Sequence, residues 1–160
     1  MKSIIKTASF ALLVALLAVA CNKSKNYSNK LIKAGEWQIT ELSVDGTNQD
    51  ELPSWHIDDC DIYEASCSAE WENEEGGHAE FIWQFRDEGS AFEISRQDGE
   101  EAEEGHAHES DHAEEEAIAQ CYAFSGIYEV IEHKKKMMQF SSNSIEGYAG
   151  STVVIKIEKK

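Results

Sequence analysis

Phe81, Trp83 and Phe85 alternate with Ile82 and Gln84; Asp87-Glu88-Gly89 interrupts the run, and Phe92 and Ile94 resume it. Large side chains two residues apart suit a strand, whose neighbours point to opposite faces, and not a helix of 3.6-residue period. Two such runs around an acidic glycine turn make a hairpin. The same period recurs along the chain. Trp37 and Ile39 alternate with Glu36, Gln38 and Thr40, and Val153, Ile155 and Ile157 with Val154, Lys156 and Glu158. Tyr122, Phe124, Tyr128 and Val130 lie on a further stretch broken by Ser125-Gly126. Met138 and Phe140 follow the polar turn His133-Lys134-Lys135. At least six strands, each with one buried and one wet face and joined by short turns, predict an all-β antiparallel barrel or sandwich.

Two segments depart from that period. Between Asp50 and Gly77, Trp55, Cys60, Cys67 and Trp71 stand among many acids. A short helix over Cys60 to Trp71 would set the two cysteines on one face. Residues 97–117 contain neither a large apolar side chain nor a Lys or Arg. Such a stretch cannot bury enough surface to offset its ordering entropy, so it reads as a disordered acidic, His-rich insertion between two strands.

The N-terminus is built for export. Lys2 and Lys6 precede an uncharged run from Thr7 to Ala20, too short for a bilayer that needs about 20 apolar residues and suited to a cleaved signal peptide over residues 1–20. Leu17-Ala18-Val19-Ala20-Cys21 resembles the lipobox of bacterial lipoproteins, with Ala18 where Leu is usual. That resemblance makes Cys21 the lipid attachment site and the new N-terminus. Ala18-Val19-Ala20 read as an ordinary A-x-A signal would give a secreted protein instead. Residues 21–34 then form the lipidated N-terminus and a flexible tether, and 35–160 one domain. The expected location is the cell envelope, on the periplasmic or surface face of a membrane.

Beyond residue 20 the chain carries twelve basic residues against 31 acidic ones. This charge argues against nucleic acid as a partner and would be repelled by anionic lipid heads, so the acyl chain and not surface charge would hold the protein at a membrane. The basic residues of the tether add a modest local contact. An oxidising envelope favours disulfides. With Cys21 acylated, Cys60, Cys67 and Cys121 remain. One disulfide and one free or buried cysteine is the expectation, with the pairing open.

Gly35-Glu36-Trp37 at the first strand resembles the Gly-x-Trp opening of lipocalins, whose Trp closes the bottom of an eight-stranded barrel. The layout is similar to lipocalin-like lipoproteins of Bacteroidetes: a lipobox, a tether, Gly-x-Trp and a cysteine-bearing stretch. Phe85-Arg86-Asp87-Glu88-Gly89 matches their Phe-x-x-Asp-x-Gly hairpin, and Gly126-Ile127-Tyr128 their Gly-x-Tyr strand. The resemblance implies an up-and-down barrel over most of residues 31–160. Two departures stand out. Classical lipocalins place an Arg over the Trp, and the arginines here are Arg86 and Arg96. The acidic His-rich insertion has no counterpart in the family.

Three chemistries follow. His106, His108 and His112, flanked by Glu109, Asp111 and Glu114 to Glu116, offer nitrogen and oxygen donors suited to Zn²⁺, Ni²⁺ or Cu²⁺. Trp37, Phe81, Trp83, Phe85, Phe92, Tyr128, Met138 and Phe140 either pack a core or line a pocket for a small apolar ligand. His56, His78 and His133 are isolated, and Asp58-Asp59-Cys60-Asp61 lacks the glycine and closing Glu of a calcium loop. Nucleophile-elbow, zincin, phosphate-loop and Ser-x-x-Lys motifs are absent from the sequence, which argues against an enzyme. The sequence therefore points to a non-catalytic lipoprotein binding a small apolar ligand or an envelope partner. Zn²⁺-type metal binding through the His-rich loop, or a structural or inhibitor role, are the alternatives.

Overall fold

The computed structural model describes residues 23–61, 64, 66–96 and 112–160. The signal segment, Cys21, His106 and His108 lie outside them. Nine strands follow: β1 (Glu36–Val44), β2 (Thr47–Asn48), β3 (Ser54–Ile57), β4 (Cys67–Glu72), β5 (His78–Arg86), β6 (Ala91–Arg96), β7 (Gly126–Lys134), β8 (Met137–Ser142) and β9 (Val153–Lys159). Strand β2 only extends the end of β1. The other eight pair antiparallel in chain order, and β9 returns to β1 through the register Trp37↔Lys159 to Val44↔Val153. The result is a closed, up-and-down, lipocalin-like barrel of eight strands, the expected class.

The alternation read from the sequence is the inside–outside alternation of this barrel. On β5, Ala79, Phe81 and Trp83 are buried while His78 and Glu80 are exposed. On β1 the register shifts between Ile39 and Glu41. That bulge moves the inward set from Trp37 and Ile39 to Leu42, because one extra residue reverses which side chains face in.

Three segments correct the sequence reading. Residues 67–71, within the stretch read as a short helix, are strand. Cys67, Ala69 and Trp71 point inward on β4 with Glu70 and Glu72 turned outward, and β4 is bonded between β3 and β5. Pairing on both sides satisfies the backbone, so the acids sit on the wet face without breaking the strand.

The end of the acidic stretch, with Tyr122 beyond it, forms helix α2 (His112–Ala123). Ala113, Ala117 and Cys121 recur every four residues and are buried. These small side chains let the helix backbone lie close against the barrel. Glu114 and Glu115 in the first turn suit the positive end of the helix dipole.

Residues 23–34 form helix α1 instead of a loose tether. Leu31 is fully buried and Tyr27 packs edge-on to Phe85. Gly35 ends α1 at φ +70°, its N–H donating to the Leu31 and Ile32 carbonyls, a left-handed C-terminal cap that glycine adopts without strain. The glycine of Gly-x-Trp is thus a helix stop.

The barrel is capped at both ends. Helix α1 crosses the floor, where the β5–β6 and β7–β8 turns lie. Helix α2 packs at the opposite rim against β4 and β5.

Candidate functional site

The barrel interior is occupied by its own side chains. Trp55 stands at the centre, with ring centroids 5.6 Å from Phe81, 5.9 Å from Phe92, 6.1 Å from Trp71 and 6.3 Å from Phe140. Phe92 and Phe140 stack at 4.6 Å. Of the eight aromatic and methionine residues singled out from the sequence, Trp37, Phe81, Trp83, Phe92, Tyr128, Met138 and Phe140 are buried here. Phe85 is half-buried, under Tyr27 and against Phe92 at 5.0 Å. Trp55 and Trp71 belong to the same set; the irregular acids around them hid their period.

Most buried polar groups in this interior are paired. Tyr128 Oη donates to the Phe124 carbonyl at 2.5 Å, and burial pushes its phenol well above its ordinary pKa. Trp71 Nε1 donates to Gln120 Oε1 on α2 at 2.9 Å. Trp55 Nε1 is the exception among the described residues: it is buried with no hydrogen-bond partner.

At the floor, Trp37 Nε1 donates to the Leu31 carbonyl at 3.1 Å. The cation above Trp37 is Lys30, whose Nζ lies 6.0 Å from the ring. Neither arginine takes that place: Arg86 pairs with Glu93, and Arg96 with Glu146 and the face of Tyr122. Sequence inspection missed Lys30 because α1 was not read as a helix.

The rim carries the ligand-type side chains. Asn73, at the end of β4, locks the β4–β5 turn to α2. Its Nδ2 donates to the Ala113 carbonyl at 2.9 Å, and its Oδ1 accepts from the Gly77 N–H at 2.7 Å and the Glu75 N–H at 3.1 Å. Glu75 of this turn thereby meets His112 and Glu116, four residues apart on α2. Their ligand atoms all lie within 4.8 Å of one another. Glu75 and His112 are exposed and Glu116 is half-buried. The sequence marks His112 and Glu116, but the acidic turn holding Glu75 is 37 residues away in the chain and carries no motif.

Among the described residues, the isolated histidines join no such group. His56 is exposed on β3, and His78 lies outside the barrel between β5 and α2, near Glu70, Glu80 and Glu114. His133 stacks on Tyr27 at 3.9 Å. Burial and nearby Lys30 hold it below the usual imidazole range.

Cys60 and Cys67 form a disulfide across the β3–β4 loop, and Cys121 is a buried free thiol. A loop this short restricts the unfolded chain by about 2.5 kcal/mol in the chain-entropy account, and such a bond is consistent with an extracytoplasmic location. Burial pushes the Cys121 thiol up to about 12, with Arg96 acting in the opposite direction. The thiolate is the reactive species. Iodoacetamide at mildly alkaline pH should therefore leave Cys121 untouched in the folded protein and label it fully in denaturant; rapid labelling of the native state would contradict this placement. Folding keeps the proton on Cys121, so this contribution to stability is intact below the ordinary value of 9 and is lost as pH rises toward 12.

No family model and no curated protein matches the chain. Among solved structures, japanin from Rhipicephalus appendiculatus, bound to cholesterol, is similar over 81% of this chain and 77% of its own, at 8% identity and a TM-score of 0.45. An uncharacterized protein from Bacteroides eggerthii is similar over 76% of this chain and 96% of its own, at 16% identity and a TM-score of 0.40. At these identities the likeness concerns the fold alone.

Proposed function

We propose that this protein is an envelope lipoprotein, anchored through Cys21, that binds rather than catalyses, and that its site is the α2 rim, where it takes a divalent cation of the Zn²⁺ class. The carrying observation is the convergence of Glu75, His112 and Glu116 within 4.8 Å. Ligand atoms about 2.1 Å from a tetrahedral zinc stand roughly 3.4 Å apart, so small side-chain rotations suffice to close on an ion. Imidazole nitrogen and carboxylate oxygen are both zinc ligands. The packed barrel beneath serves as a rigid support, and the Asn73 clamp fixes the turn that brings in Glu75. His106 and His108 precede His112 by six and four residues and are proposed as additional donors.

Calorimetric titration with Zn²⁺ tests this reading. His112→Ala and the pair Glu75→Gln/Glu116→Gln should each weaken binding by more than the ~10–100-fold that loss of a supporting contact costs. Acid should release the metal, because protons compete for the ligand atoms. An isotherm unchanged by both sets of substitutions would sink the proposal.

A second reading has one observation behind it. The unpartnered Nε1 of Trp55 is a donor for a small apolar ligand bearing a single acceptor oxygen, admitted if the surrounding rings repack. Native mass spectrometry of protein from its own host would favour this reading by finding such a ligand. An empty barrel would leave the rim as the site.

A further inference from the structure

We propose that the α1 floor of the barrel lies against an anionic bilayer surface and that the α2 rim points away from it. This rests on the anchored reading above for its biological setting, though the surface itself is tested without the anchor. Helix α1 holds Lys23, Lys25, Lys30 and Lys33 and no acidic residue, in a chain with 31 acids. Beside it stands the β7–β8 turn with Lys134, Lys135 and Lys136. Lys30 Nζ donates to the Met137 carbonyl at 3.1 Å, and the Lys159 N–H donates to the Lys136 carbonyl at 2.9 Å. These contacts gather the helix, the turn and the end of β9 into one basic face. Lys134 is neutralised in part by Glu132 at 2.5 Å. Lys33, Lys135 and Lys136 are exposed.

The chain also enters at this face. Cys21 is two residues before Lys23, a reach of roughly 7 Å at full extension. Because α1 is packed on the barrel and not slack, an acyl chain on Cys21 would hold the floor at the head groups. Acids do occur at the same end, in the β3–β4 loop (Asp58, Asp59, Asp61 and Glu64) and the β5–β6 turn (Asp87 and Glu88). In the strand order the β3–β4 loop lies across the ring from Lys134–Lys136. Asp87 and Glu88 lie nearer, in one groove with Lys23 and Glu132, so the side carrying Lys135 and Lys136 is the one that settles nearest the lipid.

Net charge does not forbid this contact. A nine-residue strand such as β5 spans about 30 Å, whereas the Debye length is ~8 Å at physiological ionic strength. The rim acids Glu72, Glu74, Glu75 and Glu114–Glu116 are thus screened from a surface touching the floor, while the lysines act within one Debye length. Each lysine near an anionic surface adds about 1 kcal/mol, or roughly fivefold in affinity.

The test uses the processed chain from residue 21 carrying Cys21→Ser, so that no acyl group contributes, in flotation with large vesicles. Vesicles with about one-third phosphatidylglycerol should carry the protein at low salt and lose it as salt rises, while pure phosphatidylcholine should not bind. Lys33→Gln/Lys135→Gln/Lys136→Gln should weaken binding by roughly a hundredfold, with circular dichroism unchanged. Equal binding to both vesicle types, no binding to either, or full binding by the triple variant would overturn the proposed face. Lipidation is read separately, from the mass of the processed natural chain, so failure of the anchor and failure of the surface are distinct results.

Discussion

Trp55→Ala should cost about 3–5 kcal/mol, the range for emptying a large buried aromatic site, and lower the melting temperature by roughly 9–20 °C at about 3–4 °C per kcal/mol for a domain of this size. Trp55 is 1% exposed and touches rings from β4, β5, β6 and β8. Its loss leaves a gap walled by four strands of a closed sheet, which cannot collapse inward without breaking register. The orphaned Nε1 leaves with the ring, and the desolvation cost recovered with it places the effect toward the lower end of that range. Thermal unfolding followed by near-ultraviolet circular dichroism checks the size of the effect. A melting temperature within a few degrees of wild type would mean that the interior is looser than the ring contacts describe.

Gly77→Ala is the second large effect, and it reaches the site. A Cβ on Gly77 would lie 1.9 Å from the Ala113 carbonyl oxygen, 2.2 Å from its carbon and 2.7 Å from the Glu114 nitrogen. All three are backbone atoms, so no rotamer relieves the clash. The first turn of α2 must withdraw, and with it go the Asn73–Ala113 bond and the Glu75–His112 approach. Overpacking costs ~1–3 kcal/mol and the lost hydrogen bond ~0.5–1.5, for a total near 3 kcal/mol. The barrel strands are untouched, so the variant should keep its β signal, lose helical signal and lose Zn²⁺ binding together. Wild-type Zn²⁺ affinity in this variant would separate the metal from the Glu75–His112–Glu116 group.

The barrel was legible because its signal is local. Alternating residues on β5, β6 and β9 state their own period, and Gly35-Glu36-Trp37 marks where the first strand begins. The caps were not legible, for two physical reasons. Helix α2 is rich in Ala and Glu and buries small residues, so it lacks the large apolar stripe that distinguishes an amphipathic helix, and composition alone read its first half as disordered. Helix α1 is polar apart from Tyr27, Leu31, Ile32 and Ala34; most of its stability comes from docking on the barrel, which sequence periodicity does not report. The candidate site was half legible. His112 and Glu116 share a helical spacing, whereas Glu75 joins them only because Asn73 pins a distant turn to α2. Cys60 and Cys67 stand seven residues apart, a spacing that would share one face of a helix; from Cys67 onward the backbone is strand instead, because it pairs with two neighbouring strands.

Anomalous scattering at the zinc edge, from crystals grown with about one equivalent of Zn²⁺, tests the central claim most directly. One dominant peak is expected within ~2.0–2.2 Å of His112 nitrogen and of carboxylate oxygens from Glu75 and Glu116. A well-bound ion elsewhere, with these three side chains left free, would contradict it.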